Sequence, residues 1–366
     1  MAACHDRRTF RTCGELLLEG VARVAGSDRV GGEDRYATAA LIARELASGL
    51  TASGSAPGGV LLASGEDASG GIDALAASSL AGHLSAPVVL TQRSSLPPVT
   101  QAVLRDLLGL LPSSGRVVHV MGGTAVITTD VQRAVEALGA RVVRVAGDDR
   151  YATAAAAAKL AAPSAKSYAL LPGGAQRTAV VASGTNPADA LSAGPLAFAA
   201  RVPLLLTARD ALPGVTASTL AELGVEQVVT LGGSAAISSR VLDALAAAGM
   251  AVLPVRGSDR FDTAAVLLSL ACAPELGSSA EDGDVGGFGL PFDTAGSGYL
   301  ANGVRFPDAL AAGPLAGLQR RPLFVTAPEA LSPATASLLP GTAARSLVAV
   351  GGPNAVPQAV LAAAGR

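Results

Sequence analysis

The sequence predicts a parallel α/β protein built from three tandem copies of one unit. Three observations carry this. The string Asp34-Arg35-Tyr36-Ala37-Thr38-Ala39-Ala40 returns as Asp149-Arg150-Tyr151-Ala152-Thr153-Ala154-Ala155, and again as Asp259-Arg260-Phe261-Asp262-Thr263-Ala264-Ala265. Four further markers follow it in the same order each time: a Ser-Gly or Asn-Gly turn (64–65, 183–184, 302–303), Asp-Ala-Leu (73–75, 189–191, 308–310), a strand ending in Thr91, Thr207 or Thr326, and the pairs Gly122-Gly123, Gly232-Gly233 and Gly351-Gly352. Between the markers, short apolar runs alternate with helical spacing, which is the pattern of parallel strands covered on both faces by crossover helices.

Each element of the unit has its own signal. A β-run leads into the Asp-Arg-aromatic motif. Tyr36, Ala39, Ala40, Ala43, Leu46 and Ala47 then recur at helical spacing. The strand ending in the Ser-Gly turn follows, then a helix starting near Asp-Ala-Leu. A buried strand comes next (87–91, 203–207, 322–326), then a helix such as 216–223. The strand before the glycine pair and a last helix such as 239–248 close the unit. The expected boundaries are an extension over 1–22 and units at 23–143, 144–254 and 255–366. Unit one is irregular: eight positions separate Gly65 from Asp73, and the Gly-Pro-Leu-Ala of 194–197 and 313–316 is absent there. Unit three carries an insertion over 274–298, rich in glycine and acid, which reads as a surface loop.

Composition narrows the class. The 366 residues are 50% hydrophobic with a net charge of −2, the reverse of a disordered chain. No apolar run reaches the roughly 18 residues of a membrane span. A charge near zero gives no general attraction to nucleic acid. Cys4, Cys13 and Cys272 are odd in number and irregular in spacing, so they form neither a disulfide framework nor a metal knuckle. Cys272 is expected as a small buried hydrophobe. Residues 1–20 lack a signal-peptide pattern, because Glu15 and Glu19 bracket the short run Leu16–Leu18.

The recurring residues suggest chemistry. Asp34, Asp149 and Asp259 are placed as helix N-caps. Arg35, Arg150 and Arg260 then fall in the first turn, where a cation opposes the helix dipole, so each needs an anionic partner. That partner is a carboxylate of the same unit (Asp73, Asp189 or Asp308) or an anion supplied by a ligand. The glycine pairs, running from strand into helix, offer backbone N–H groups to an anion or simply make a tight turn. They lack a dinucleotide fingerprint and a Walker lysine. The Ser-Gly turns invite a nucleophile reading for Ser64 and Ser183, but no histidine recurs beside them and unit three has Asn302 there, so serine hydrolysis is not supported. Scattered His and Cys give no metal cluster, and the Asp-Ala-Leu aspartates are expected as helix caps with no paired carboxylate for acid–base work.

The strings Arg29-Val30-Gly31-Gly32-Glu33-Asp34-Arg35-Tyr36-Ala37-Thr38-Ala39, Val228-Val229-Thr230-Leu231-Gly232-Gly233-Ser234-Ala235-Ala236-Ile237-Ser238 and Arg305-Phe306-Pro307-Asp308-Ala309-Leu310-Ala311-Ala312-Gly313-Pro314-Leu315 resemble the cell-wall-binding repeat, type 2, of Gram-positive surface proteins. The resemblance covers about 23 to 366. It implies Rossmann-like or Toprim-like modules about a pseudo-threefold axis, a cell-wall or extracellular location, and anchoring to anionic cell-wall polysaccharide, with no cofactor. With a surface location implied, the missing signal pattern leaves three readings: a misplaced or truncated start, which is the one expected, an unconventional export route, or a cytoplasmic derivative. With no tryptophan, four tyrosines and seven phenylalanines, ring stacking on sugars is not expected as the main contact. Arg35, Arg150, Arg260 and the six paired glycines are the candidate ligand groups. The units fill the chain, so a binding module is expected and not an enzyme. Two alternatives stay open: an α/β protein binding a nucleotide or small molecule at the Gly-Gly turns, and a self-associating, surface-layer-like component.

Overall fold

The structure, a computed structural model, describes residues 29–66, 70–292, 296–305, 307–341 and 346–365. The expected N-terminal extension, Cys4 and Cys13 lie outside these residues. In chain order the strands are β1 (Arg29–Val30), β2 (Val60–Ser64), β3 (Val88–Thr91), β4 (Val117–Met121), β5 (Arg141–Val145), β6 (Ser167–Tyr168), β7 (Gln176–Ser183), β8 (Leu204–Thr207), β9 (Gln227–Leu231), β10 (Ala251–Val255), β11 (Ser297–Asn302), β12 (Leu323–Thr326) and β13 (Ser346–Val350). Three sheets form, with orders β3-β2-β4-β5, β8-β7-β9-β10 and β12-β11-β13-β1, and every one of these pairings is parallel. A short β6 adds antiparallel to the start of β7.

The register carries one departure from the sequence reading. The β-run before each Asp-Arg motif does not join the sheet of the unit it leads into. It forms the edge of the preceding sheet: β5 pairs with β4, and β10 pairs with β9. At the chain start, β1 pairs with β13 through Arg29 opposite Ala349 and Val30 opposite Val350, so the first residues described close the third sheet. The three units form a ring.

Strand side chains explain why the apolar runs are continuous. On β2, Leu61 and Ala63 face a core shared by all three units, while Val60 and Leu62 face an outer core of unit one. Val180 and Ala182 against Ala179 and Val181 repeat this in unit two, as do Tyr299 and Ala301 against Leu300 in unit three. Alternation is present, but both faces are buried, so it does not show as a polar–apolar pattern.

The helices are α1 (Arg35–Ala52), α2 (Gly70–Leu84), α3 (Pro98–Gly109), α4 (Thr129–Glu136), α5 (Arg150–Ala161), α6 (Ala193–Ala200), α7 (Gly214–Glu222), α8 (Ser239–Ala247), α9 (Arg260–Cys272), α10 (Pro307–Gln319), α11 (Pro333–Leu338) and α12 (Gln358–Ala364). α2, α6 and α10 pack on one another around the pseudo-threefold axis. A Cβ on Gly194 would stand 3.0 Å from the Cα of Gly313, so glycine permits this approach; Ser78 is the counterpart in α2, its Oγ 3.4 Å from the same point. Among the described residues no helix is long and apolar enough to cross a membrane.

The insertion of unit three is only half a surface loop. Phe288, Leu290 and Phe292 are buried in the shared core. Phe288 N–H donates to Leu270 O and Leu290 N–H to Ala271 O, so the segment folds back along α9. Cys272 is half-buried against the same core.

Candidate functional site

The loops that leave the C-terminal ends of the parallel strands gather on one edge of each sheet. In unit one these are the Ser64-Gly65 turn after β2, residues 92–97 after β3, the Gly122-Gly123 turn after β4 and the Asp-Arg motif after β5. Open α/β sheets bind ligands along this edge, at the point where the strand order reverses. Here that point lies between β2 and β4.

The Asp-Arg motif behaves as its spacing predicts, with one change of partner. Asp34 Oδ1 accepts from Ala37 N–H (2.7 Å), Asp149 from Ala152 N–H (2.8 Å), and Asp259 from Phe261 and Asp262 N–H (both 2.8 Å), so all three are N-caps. Arg35, Arg150 and Arg260 begin α1, α5 and α9. Each donates through Nη1 to the carbonyl of its own unit's turn glycine: Gly65 (2.5 Å), Gly184 (2.6 Å) and Gly303 (3.2 Å). The carboxylate facing each arginine is one of those expected, but from the preceding unit. Arg150 acts on Asp73, Arg260 on Asp189, and Arg35 on Asp308. The Asp–Arg relation therefore runs round the ring, because the strand preceding each motif belongs to the neighbouring sheet.

Those aspartates do not cap helices. Asp73 and Asp308 lie in the first turns of α2 and α10, and Asp189 lies in the short turn over Pro187–Ala190. Each carboxylate presses on the first glycine of its own unit's pair. A Cβ on Gly122 would fall 2.5 Å from Asp73 Oδ2, one on Gly232 2.7 Å from Asp189 Oδ2, and one on Gly351 would collide with Asp308 Oδ2. The φ values of these glycines, +94°, +112° and +95°, exclude other residues on backbone grounds as well. Burial pushes the Asp73 carboxyl up to about 6, against the pull of Arg150. Burial also raises Asp189 and Asp308, with Arg260 and Arg35 opposing it.

The glycine pairs make tight turns and do not open helices. Gly122, Gly232 and Gly351 N–H donate to Val145, Val255 and Val30 O (each 2.9 Å). The carbonyls of Gly123, Gly233 and Gly352 accept from residues three and four further on, and α4, α8 and α12 start only beyond these closed turns. At the switch point, where a phosphate would approach, each unit places its own carboxylate. Ser64 and Ser183 are likewise structural: buried, they accept from Glu66 N–H, and from Thr185 and Asn186 N–H. Asn302 Oδ1 accepts from Val304 and Arg305 N–H in the same way, which explains why asparagine replaces serine there.

Two recurring sets escaped the sequence reading. Thr38, Thr153 and Thr263 Oγ1 accept from Gly32, Gly147 and Gly257 N–H (3.1–3.2 Å), fixing the loop before each N-cap. Arg93 and Arg209, two residues after the third-strand threonine, are exposed on the sheet edge and reach to the glycine-pair loop. Their matching spacing was a usable signal. Among the described residues no group of three or more His, Cys, Asp or Glu is placed to hold a metal.

Comparison with known proteins agrees with the threefold pattern. The profile of cell wall binding domain 2 matches residues 29–132, 144–242 and 255–361. The chain belongs to the cell wall binding domain 2 family. Membership associates it with the bacterial cell wall. It is 28% identical over 306 residues to the N-acetylmuramoyl-L-alanine amidase LytC of Bacillus subtilis (strain 168), covering 83% of this chain and 51% of that protein. It is 29% identical over 245 residues to the amidase enhancer of the same organism, covering 67% and 30% respectively. The fold is that of Cwp6 from Clostridium difficile (TM-score 0.74, 22% identity, 95% of this chain and 49% of that one) and of Cwp8 from the same organism (0.71, 22%, 93% and 51%). The chain thus spans about half or less of the length of each of these relatives.

Proposed function

We propose that this chain is a non-catalytic anchor that holds an anionic cell-wall polysaccharide along the C-terminal edges of its parallel sheets. The observation carrying this is an arginine-bearing loop edge that recurs in a chain of cell-wall-binding family membership: Arg35, Arg150 and Arg260 stand half-buried along it, and Arg93 and Arg209 are exposed on it. Guanidinium forks suit carboxylate and phosphate groups, and the scarcity of aromatic residues argues against ring stacking as the main contact. Several weak sites on one ring of units would act together on a repeating polymer. The location that goes with this role is the cell wall.

The test is co-sedimentation of the purified chain with cell-wall sacculi, before and after the anionic polymer is stripped from them. Pelleting with intact sacculi that is lost on stripping is the expected result. Equal pelleting in both samples, or none in either, overturns the proposal.

A further inference from the structure

We infer that Arg93 and Arg209, and not the motif arginines, make the direct contact with the anion, so that units one and two bind and unit three does not. This rests on the polysaccharide reading above and names the groups that serve it. The motif arginines are half-buried, each tied to a turn carbonyl and facing the preceding unit's aspartate. Much of their charge is already answered inside the protein.

Arg93 and Arg209 differ in exposure and in the nitrogen that is tied, Nε in place of Nη1. Both are exposed. Arg93 Nε donates to Ala125 O (2.7 Å) and Arg209 Nε to Ser234 O (3.4 Å), so each side chain is held across the mouth of the edge between two loops. The backbone holds the same span: Thr128 N–H donates to Arg93 O (2.9 Å) and Ser238 N–H to Arg209 O (2.8 Å). With Nε committed, the terminal nitrogens of Arg93 make no hydrogen bond or ion pair among the described residues. Among the described residues, those of Arg209 meet only the exposed Asp210 carboxylate, at 3.5 Å. A guanidinium fixed at Nε with its outer donors in solvent is prepared for an oxyanion, because little side-chain freedom remains to be lost on binding. In unit three Pro328 stands at the equivalent position, two residues after Thr326, and Glu329 follows it. Arg305 is exposed on the neighbouring turn, but its side chain has no such tie among the described residues.

The experiment is binding to sacculi by the full chain carrying Arg93→Gln, Arg209→Gln, both together, or Arg305→Gln. Glutamine keeps an N–H₂ able to reach the carbonyl and so guards the loop. The melting temperature of each variant is measured alongside. Soluble polyglycerol phosphate and polyglucuronate serve as competitors that separate a phosphate from a carboxylate source. The expected result is a loss of several-fold for each of the first two variants, at least tenfold for the double variant, and less than twofold for Arg305→Gln, with melting unchanged. A double variant that binds as the unaltered chain overturns the inference while leaving the anchoring reading intact. Absence of pelleting by the unaltered chain overturns the anchoring reading itself.

Discussion

The junction between units one and two and the junction between units two and three share a backbone plan and differ in how they are fastened. In both, the last strand of one sheet leads directly into the next unit's Asp-Arg motif, and its terminal carbonyl, Val145 or Val255, accepts from the first glycine of the pair. In the first, Arg144 on β5 donates to Gly122 O (2.8 Å) and Ile127 O (3.0 Å) and to Gln132 Oε1. In the second, Pro254 holds the equivalent place and offers no donor. What joins units two and three instead is the insertion. Leu276 N–H donates to Ala169 O, Gly286 N–H to Leu170 O, and Ala169 N–H to Glu275 Oε2. Phe288 meets Tyr168 edge-on, with ring centroids 4.7 Å apart. The ring closure between units three and one follows the first pattern, with Arg29 donating to Gly351 O and Val356 O (both 2.7 Å). A repeated architecture thus keeps its backbone register and lets side chains or an inserted segment supply the fastening.

The largest expected effect is at the insertion. Phe288→Ala removes a side chain that is 2% exposed and leaves a cavity between α9 and β6, at a cost of about 3–5 kcal/mol. Urea denaturation should show this loss. A cost within error of zero would mean that the segment is a covering loop and not a fastener.

The second prediction concerns the carboxylate between units one and two. Asp73 is 4% exposed, and its carboxyl is raised to about 6 from the ordinary 3.8. Between these values the folded chain binds more protons than the unfolded one. Stability therefore falls as pH rises through this window, and the cost is full above pH 6, on the order of 2–3 kcal/mol. Asp73→Asn removes that ionisation. The difference in stability between variant and unaltered chain should grow in the variant's favour from pH 4 to 6 and then level off. A difference that stays constant across that range would show that Asp73 titrates normally. Asp189 and Asp308, raised for the same reason but only half-buried, should give the same sign with smaller amplitude.

Much of this was legible in the sequence, because an internal repeat exposes its own structural residues. The N-caps, the four strand positions and the importance of the Asp–Arg pair all follow from markers recurring in order. Which unit each residue faces was not legible. Arg150 and Asp189 lie in the same copy of the repeat, yet Arg150 faces Asp73, since strand β5 joins the sheet behind it. A linear pattern carries no information on such a shift. The insertion reads as a surface loop because its glycines and acids dominate its composition. Yet Phe288, Leu290 and Phe292 recur at every second residue, the spacing of an extended segment burying one face. The glycine pairs looked like helix entrances because strand, glycine and helix follow one another. The intervening closed turn and the aspartate beneath it take up the anion-binding opportunity internally.

The smallest effects test the two junctions against each other. Arg144→Ala removes hydrogen bonds from a charged group to two carbonyls and a side-chain amide, a loss of about 1–3 kcal/mol for a half-buried group. The reverse exchange is Pro254→Arg. Gly232 O and Ile237 O correspond in sequence to the acceptors Gly122 O and Ile127 O, and Leu242 replaces Gln132. The installed arginine would therefore resemble Arg29, which uses two carbonyls alone. β10 is the edge of its sheet, where proline is tolerated and is not needed to end pairing. Ordering a long side chain offsets part of the gain, so the net stabilisation should be about 0.5–1 kcal/mol. A gain in Pro254→Arg matched with a loss in Arg144→Ala would make the latch transferable between junctions. A loss in both would mean that the insertion has shifted the strand edge enough to remove the acceptor geometry, so that the two fastenings exclude each other.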